Sequence, residues 1–182
     1  MKTLGTFLTA LFLFAICTLV GCTTPATKSP DVVSGIRTSL DQAGLKDVSV
    51  SQDRDKGVVT LGGRVGADGD KVQAESIAKS MAGSQVVADE IAVIPNGNES
   101  AAKAVNSDLD EGIKKNLDAA LIENKMQKHV KYDVKNGVVT LTGEVNSDGK
   151  RSRAESVATS VPNVLQVVNE LQVKDQKATS SN

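Results

Sequence analysis

Few residues of this 182-residue chain have side chains suited to catalysis. There is one histidine, His129, and there are two cysteines, Cys17 and Cys22. A serine or cysteine nucleophile needs a neighbouring base, so any such device would have to use His129. That ring lies in a lysine-rich stretch, KMQKHVK, and the chain has no Gly-x-Ser-x-Gly sequence. The pattern favours a histidine in a solvated loop over a catalytic base, and we predict that the protein is not an enzyme.

Metal and hydrolase sites are equally poorly supported. Asp53 and Asp55 resemble the start of a calcium loop, but position twelve of such a loop requires a glutamate and is Arg64 here. Zinc would need more cysteine or histidine ligands. Glu75 and Glu155 occupy matching places in two repeats, which favours helix-surface residues over a pair of hydrolase carboxylates. The sequence predicts no metal and no cofactor.

Three basic residues, Lys150, Arg151 and Arg153, stand where a helix is predicted to begin. Cations in a first helical turn oppose the helix dipole and cost roughly 0.3–1 kcal/mol each. The other repeat has Asp70 at the place of Lys150, as the dipole prefers. Only one of the two repeats departs from the charge preference of the helix dipole. This departure indicates either a surface that binds anions or neutral sequence drift on a solvent-exposed helix face. Both interpretations stay open at this point.

The first 21 residues have the pattern of an export leader. Lys2 supplies a positive start, and an almost continuous apolar run follows. The run ends in Leu19-Val20-Gly21-Cys22, which resembles the lipobox of bacterial lipoproteins. The resemblance implies cleavage before Cys22 and acylation (palmitate and related chains) of that residue. An uncleaved membrane anchor and a plain secretory signal are the alternatives. Thr23, rather than Asp, after the cysteine indicates the outer membrane, facing the periplasm.

The remaining elements come in duplicate. The word GVVTL occurs at 57–61 and again at 137–141, and an offset of 80 residues continues to Val93 and Val173. Upstream the offset becomes 77, which pairs Leu40 with Leu117 and predicts three extra residues between the first helix and first strand of the second copy. Only two copies exist, so the repeat predicts two domains. GVVTL is therefore interpreted as a turn glycine and a buried strand.

Each copy has the pattern helix, strand, strand, helix, strand. Apolar residues at helical spacing mark the helices, and alternation marks the strands. We expect Ser29 to cap the first helix, Asp68 to cap the second, and Asp55–Gly57 to form a hairpin turn. Gly63 is expected to let a helix backbone approach closely. The predicted fold class is α+β: two tandem domains, each a three-stranded mixed sheet covered by two helices.

The expected boundaries follow from these elements. They are a lipoprotein signal peptide (1–21), a tether (22–29), domain 1 (30–94), a linker (95–107), domain 2 (108–173) and a disordered polar tail (174–182). Domains of this size bury only about 60% of their extended surface, so we expect modest stability and packing of the copies on each other.

Composition excludes one class of partner. The formal net charge is −1, and Tyr132 is the only aromatic residue after the leader. Nucleic-acid binding would require a basic face with interleaved aromatic residues. We predict no nucleic-acid partner.

The second repeat contains Gly137-x-Val139-x-Leu141-x-Gly143-x-Val145 and, after a helix, Val164-x-x-Val167-x-Asn169-x-Leu171-x-Val173. This pattern resembles the BON domain. The first repeat has the same first half, with Ser84 and Asp89 as departures in the second half. The resemblance implies an αββαβ fold and a non-enzymatic envelope protein, induced by osmotic or other stress, that binds phospholipid surfaces. On that basis Lys150, Arg151 and Arg153 are the predicted anionic-phospholipid-binding residues.

A second interpretation is a periplasmic adaptor or chaperone-like module. Each three-stranded sheet has two edges, and an edge can accept a strand from a partner. Lysines on a strand, such as Lys131 and Lys135, would instead protect an edge. Envelope proteins are therefore candidate partners beside an anionic membrane, and the sequence leaves the oligomeric state open.

Overall fold

The two halves of the chain repeat one unit of helix, hairpin, helix and third strand. The computed structural model describes residues 28–97 and 99–174. The first half contains α1 (Val33–Gln42), β1 (Val48–Asp53), β2 (Val58–Val65), α2 (Asp68–Ala82), β3 (Val86–Asp89) and β4 (Ala92–Val93). The second half contains α3 (Glu99–Glu123), β5 (Val130–Lys135), β6 (Val138–Val145), α4 (Asp148–Thr159), β7 (Gln166–Asn169) and β8 (Gln172–Val173). The predicted α+β fold of two tandem units is confirmed.

Several predicted features lie outside the described residues. They are the leader (1–21), the lipid-attachment residue Cys22, most of the tether and residues 175–182 of the tail. Among the described helices, none is both long and apolar enough to cross a bilayer.

In each sheet the GVVTL strand is central. β2 pairs antiparallel with β1 and parallel with β3 and β4, and β6 pairs in the same way with β5, β7 and β8. The predicted third strand is thus present in each copy as two short segments. A short interruption separates the two segments at Asp89 and at Asn169. The Asp89 side chain accepts a hydrogen bond from the Ile91 amide, and the Asn169 side chain accepts one from the Leu171 amide.

The two cores lie between each sheet and its two helices. Val59 and Leu61 of β2 are completely buried, as are their counterparts Val139 and Leu141 of β6. Alanines at every fourth position of α2 and α4 let these helices lie close to the strands: Ala74 and Ala78, Ala154 and Ala158. Every residue of the two core clusters lies between 32 and 173.

Three local predictions were wrong. The amide of Ser29 donates to the carbonyl of Arg54 instead of Ser29 capping α1, which begins only at Val33. Asp68 lies inside α2, whose N-cap is Ala67. Gly63 accommodates the backbone just before β1 rather than a helix: a Cβ there would clash with the carbonyl oxygen of Asp47.

The alignment of the first helices also needs correction. The amide of Leu45 donates to the Leu40 carbonyl, and the amide of Met126 donates to the Leu121 carbonyl, so the helix ends match at an offset of 81 (121 − 40) rather than 77. The difference is about one helical turn, which leaves the same face apolar and makes the two alignments hard to distinguish by pattern. Val48 corresponds to Val130 because each pairs with the equivalent glycine of the next strand.

The hairpins differ between the copies. In the first copy four residues separate β1 from β2, whereas in the second only Asn136 and Gly137 separate β5 from β6. Both of these residues have positive φ, 49° and 78°, as a two-residue type I′ turn requires. The second copy therefore has one extra residue, not three, between its first helix and its first strand. Its hairpin turn is two residues shorter than that of the first copy.

Most of the segment predicted as a linker is helical. α3 has 25 residues and α1 has 10, and the extra length lies at the N-terminal end. The carboxylate of Asp110 on α3 accepts hydrogen bonds from the amides of Asn136 and Gly137, each at 2.8 Å. The helix that connects the domains therefore also holds the hairpin turn of domain 2.

The domains pack on each other through their sheets. Val58, Ala88, Val138 and Val168 form a buried apolar cluster on the sheet faces opposite the helices; we call this contact the seam. Reciprocal ion pairs flank it, Lys56 with Glu170 at 2.5 Å and Lys135 with Glu90 at 2.8 Å. Gln166 adds a further bridge: its side-chain amide donates to the Val87 carbonyl and accepts from the Asp89 amide. The equivalent position of domain 1 is Val86, whose side chain has no polar atom.

Candidate anion-binding cleft

Two of the three predicted basic residues line a cleft in domain 2. The cleft has a volume of about 440 Å³ and lies between the start of α4 and the loop joining α3 to β5. We call it the basic cleft. Its basic residues are Lys125, His129, Lys150 and Arg153; its other lining residues are Glu123, Asn124, Met126, Val130, Val145 and Asn146.

The α3–β5 loop places Lys125 at the rim. After α3 ends, Lys125 takes a left-handed backbone conformation with φ of 57°. Its amide bonds to the Ile122 carbonyl, and the next amide, of Met126, bonds to the Leu121 carbonyl. This is the usual way in which a left-handed residue closes a helix. Met126 then turns into the core, and the exposed His129 follows at the other end of the loop.

The first turns of α4 supply the opposite wall. Lys150 and Arg153 are three residues apart and therefore lie on one face of the helix. The N-cap hydroxyl of Ser147 accepts the Lys150 amide at 3.3 Å. The guanidinium of Arg153 donates to the side-chain oxygen of Asn124 at 3.1 Å. This bond joins the two walls.

Arg151 does not line the cleft. Its guanidinium donates to the carbonyl of Asn169 on β7 at 3.3 Å, and the Asn169 amide group donates back to the Arg151 carbonyl at 3.2 Å. Successive helical residues are rotated by about 100°, so Arg151 faces away from the face that carries its neighbours. The structure brings together Lys150 and Arg153 and places Arg151 against the sheet edge.

Ion pairs among the described residues do not neutralise the cationic groups of the cleft. Within residues 28–97 and 99–174, no carboxylate oxygen lies within 4 Å of the charged nitrogens of Lys125, Lys150 or Arg153. Glu123 is the acidic residue of the lining, and it is exposed. The cleft therefore keeps a positive charge that is available to an anion.

Domain 1 has the opposite charge at the corresponding place. Lys150 and Arg153 correspond to Asp70 and Gln73 at the offset of 80. Lys125 corresponds to Gly44, which has the same left-handed conformation, with φ of 81°. His129, next to Val130, corresponds to Asp47 by the strand register. The basic cleft is thus a property of one repeat and not of the fold.

Sequence reasoning missed Lys125 and His129 as members of this site. Both were assigned to a lysine-rich loop, and only the packing of that loop against α4 shows that they share a cleft with Lys150. The match of Lys125 with Gly44, the residue type that such a position favours, appears only at the offset of 81 that the helix ends establish, and the offset of 77 hid it.

The other candidate residues have structural contacts. The Asp53 carboxylate accepts the amides of Asp55 and Lys56, each at 3.0 Å, so it caps the first hairpin turn. The hydrogen bond from the Lys56 amide is the main reason that the pKa of Asp53 is lowered. Glu75 pairs with Lys79 on its own helix at 2.6 Å. Across the described part of the chain, no three His, Cys, Asp or Glu side chains are grouped as metal ligands would be.

The fold and the duplicated strand pattern define the class of protein. The sequence pattern of the BON domain family matches residues 31–95 and 109–175, and the chain belongs to this family. It is 31% identical over 137 residues to osmotically-inducible protein Y of Escherichia coli K12, an alignment that covers 74% of this chain and 67% of that protein.

Two solved structures of CdsD, a structural protein of the type III secretion system of Chlamydia trachomatis, are also similar. The C-terminal domain has 12% identity and a TM-score of 0.33, covering 78% of this chain and 67% of that one. The second has 13% identity and a TM-score of 0.31, covering 79% and 62%. At these TM-scores the likeness carries no inference about function.

Proposed function

We propose that this protein is a non-enzymatic, lipid-anchored protein of the bacterial envelope that binds anionic phospholipid surfaces through domain 2. Its role would be to support envelope integrity under osmotic stress. Membership of the BON family and similarity to an osmotically inducible protein support the stress role. The observation that carries the membrane role is the basic cleft, whose cations have no ion-pair partner in the described residues and no cationic counterpart in domain 1.

Charge alone gives weak membrane binding. Each Lys or Arg near an anionic bilayer contributes about 1 kcal/mol, so Lys125, Lys150 and Arg153 together contribute about 3 kcal/mol. That corresponds to an affinity weaker than about 1 mM. The cleft would therefore select or orient a surface that another group already holds nearby.

Acylation of Cys22 would provide that second group. Acyl chains contribute about 0.8 kcal/mol per buried methylene, so two or three chains anchor a protein almost permanently. Residues 23–29 span at most about 25 Å, which keeps domain 1 close to the membrane and places domain 2 at a high local lipid concentration. Mass spectrometry of the membrane-associated protein should show an acylated Cys22, and an exported form with a free thiol would contradict the anchor.

Vesicle flotation tests the cleft separately from the anchor. A form that begins at Thr23 keeps every core residue and has no cysteine. We expect it to float with vesicles that contain anionic lipid at low salt and to be released by high salt. The double variant Lys150→Glu/Arg153→Glu should lose this binding.

The matched control is Lys103→Glu/Lys114→Glu. Both lysines are exposed on α3 and line a different cavity, so the net charge changes equally while the basic cleft is intact. Equal loss of vesicle binding in both double variants would indicate that only the overall charge matters, and it would contradict a binding site at the basic cleft. No flotation of the parent form would favour the adaptor interpretation, in which the outer strands β1 and β5 accept a partner.

A further inference from the structure

We infer that the basic cleft binds a single phosphomonoester group, and that it prefers this dianion to a phosphodiester. The inference deepens the proposed function, because a membrane would supply the group as a lipid headgroup with a terminal phosphate. A soluble phosphomonoester would supply the same chemistry. The two sources are separated by the experiment below.

The first reason is that basic residues line the cleft from two walls. Lys125 and His129 come from the α3–β5 loop, and Lys150 and Arg153 come from α4. Lysine and arginine side chains carry only donors. A phosphomonoester presents three free oxygens and a charge between about −1.5 and −2 near neutral pH. A diester has two free oxygens and one negative charge, and so leaves more of these donors without an acceptor.

The second reason is orientation. The Arg153 guanidinium is hydrogen-bonded to Asn124 across the cleft, and this bond uses one of its five N–H donors. The remaining donors are available to a planar or tetrahedral oxyanion. Met126, Val130 and Val145 in the lining are apolar and buried, which lowers the local polarity and strengthens attraction to an anion.

The third reason is that two of the basic residues occupy unfavourable positions. Lys125 is left-handed where domain 1 uses Gly44, and Lys150 lies in the first turn of α4, where a cation opposes the dipole. Neither cation is relieved by an ion pair within the described residues. A dianion in the cleft would offset the unfavourable charge of Lys150 at the start of α4, where the helix N-terminus also attracts phosphate. It would also give the Lys125 cation a partner, which is a reason to keep a lysine at this left-handed position.

The soluble arm uses the ¹⁵N-labelled form that begins at Thr23. Glycerol 3-phosphate is the monoester probe and glycerophosphoglycerol the diester probe, titrated at matched ionic strength. We expect amide shifts confined to residues 125–130 and 147–153. One additional unit of ligand charge should make the monoester bind about fivefold more tightly. Equal affinities for the two probes, or shifts spread over both domains, would overturn the inference.

Lys125→Gln and Lys128→Gln are the matched variants. Both remove one positive charge from the same loop, but only Lys125 lines the cleft. Lys125→Gln should weaken glycerol 3-phosphate binding about fivefold, and Lys128→Gln should leave it nearly unchanged. Far-ultraviolet circular dichroism confirms that each variant is folded.

The membrane arm compares vesicles of phosphatidylcholine mixed with phosphatidic acid or with phosphatidylglycerol, at matched surface potential. Preference for phosphatidic acid in this arm, together with monoester binding in solution, supports a lipid phosphate as the source. Monoester binding without vesicle binding supports a soluble source and contradicts the proposed membrane function. Equal binding to both vesicles, without monoester preference in solution, overturns the inference and leaves the proposed function standing.

Discussion

At the scale of residues, Lys125 holds a backbone conformation that favours glycine. A left-handed non-glycine residue costs roughly 1–2 kcal/mol, offset in part by about 0.3–1 kcal/mol for a cation at a helix C-terminus. Lys125→Gly should therefore raise the free energy of unfolding by up to about 1.7 kcal/mol while it weakens anion binding. Urea denaturation and the glycerol 3-phosphate titration measure the two effects. A variant that loses both stability and binding would show that Lys125 is only a structural residue.

Asp89 is a buried carboxylic acid at a position where domain 2 has an amide. It is 6% exposed, and its carboxylate accepts the Ile91 amide at 3.1 Å. Lys71 lies 3.9 Å away. Burial is the main cause that raises the pKa of Asp89, and nearby Glu75 raises it further, against the opposing effects of the Ile91 amide and Lys71. In domain 2 the Asn169 amide instead donates to Glu155 at 2.9 Å.

The raised pKa makes the stability of domain 1 depend on pH. The folded state binds the proton of the Asp89 carboxyl more tightly than the unfolded state does. The contribution of this protonation to the free energy of unfolding is therefore full at pH values below the unfolded pKa, and it is lost as pH rises through the folded pKa. Asp89→Asn should remove this dependence and raise the unfolding free energy at pH 7 by on the order of 1 kcal/mol. Denaturation at pH 4 and pH 7 tests it.

The reciprocal variant Asn169→Asp serves as the control. It brings a new carboxylate beside that of Glu155, where an amide now donates to a carboxylate, so it should lower stability at pH 7 more than at pH 4. If Asp89→Asn and wild type show the same pH profile, Asp89 does not titrate as its burial implies.

At the scale of elements, α3 has two tasks. Its C-terminal half provides the core residues Ile113, Leu117 and Leu121, and its N-terminal extension brings Asp110 onto the β5–β6 turn. The side chain of Asn136 in that turn donates to the Glu90 carbonyl of domain 1 at 2.7 Å. A chain of contacts thus runs from the connecting helix through the turn to the other domain.

Asp110→Ala should break this chain at its first link. The two amides of the turn would lose their acceptor, at a cost of roughly 1–3 kcal/mol. Hydrogen exchange should become faster at Asn136 and Gly137. Asp108→Ala is the control, since Asp108 is exposed and two residues away on the same helix; an equal effect there would assign the change to helix propensity.

At the scale of the whole molecule, the seam decides whether the two domains unfold together. Val168 is 1% exposed but belongs to the seam rather than to the core of its own domain. Val168→Asp would bury an unpaired charge unless the domains separate. We expect the domains to separate and to unfold in two steps, because domains of this size bury only about 60% of their extended surface.

Tyr132 allows the two steps to be distinguished. It is the only tyrosine, and the chain has no tryptophan, so tyrosine fluorescence reports domain 2 while far-ultraviolet circular dichroism reports both domains. In wild type the two signals should change together; in Val168→Asp they should diverge. The control is Val86→Asp at the half-exposed position that corresponds to Gln166. Coincident signals in Val168→Asp would mean that the seam does not couple the domains.

Much of the fold could be predicted because its signals are local. Alternating residues predicted β2 and β6, and the buried faces of Val59, Leu61 and their counterparts agree with that pattern. Helix starts and the offset of the first helices were wrong because capping depends on a few competing hydrogen bonds, and because a slip of one turn preserves an apolar face. For the candidate site, the departure from the dipole rule pointed to Lys150 and Arg153, which line the basic cleft, and to Arg151, which does not. It did not point to Lys125 or His129.

By itself the sequence determined that the protein is a duplicated α+β unit of the BON type, since repetition and periodicity are properties of neighbouring residues. Only the tertiary structure decided which charges meet. Lys125 and Lys150 are 25 positions apart (150 − 125) and share a cleft, while the adjacent Arg151 faces the sheet edge. The seam likewise joins strands about 80 residues apart (168 − 88). Such contacts depend on how the elements pack, which local patterns do not encode.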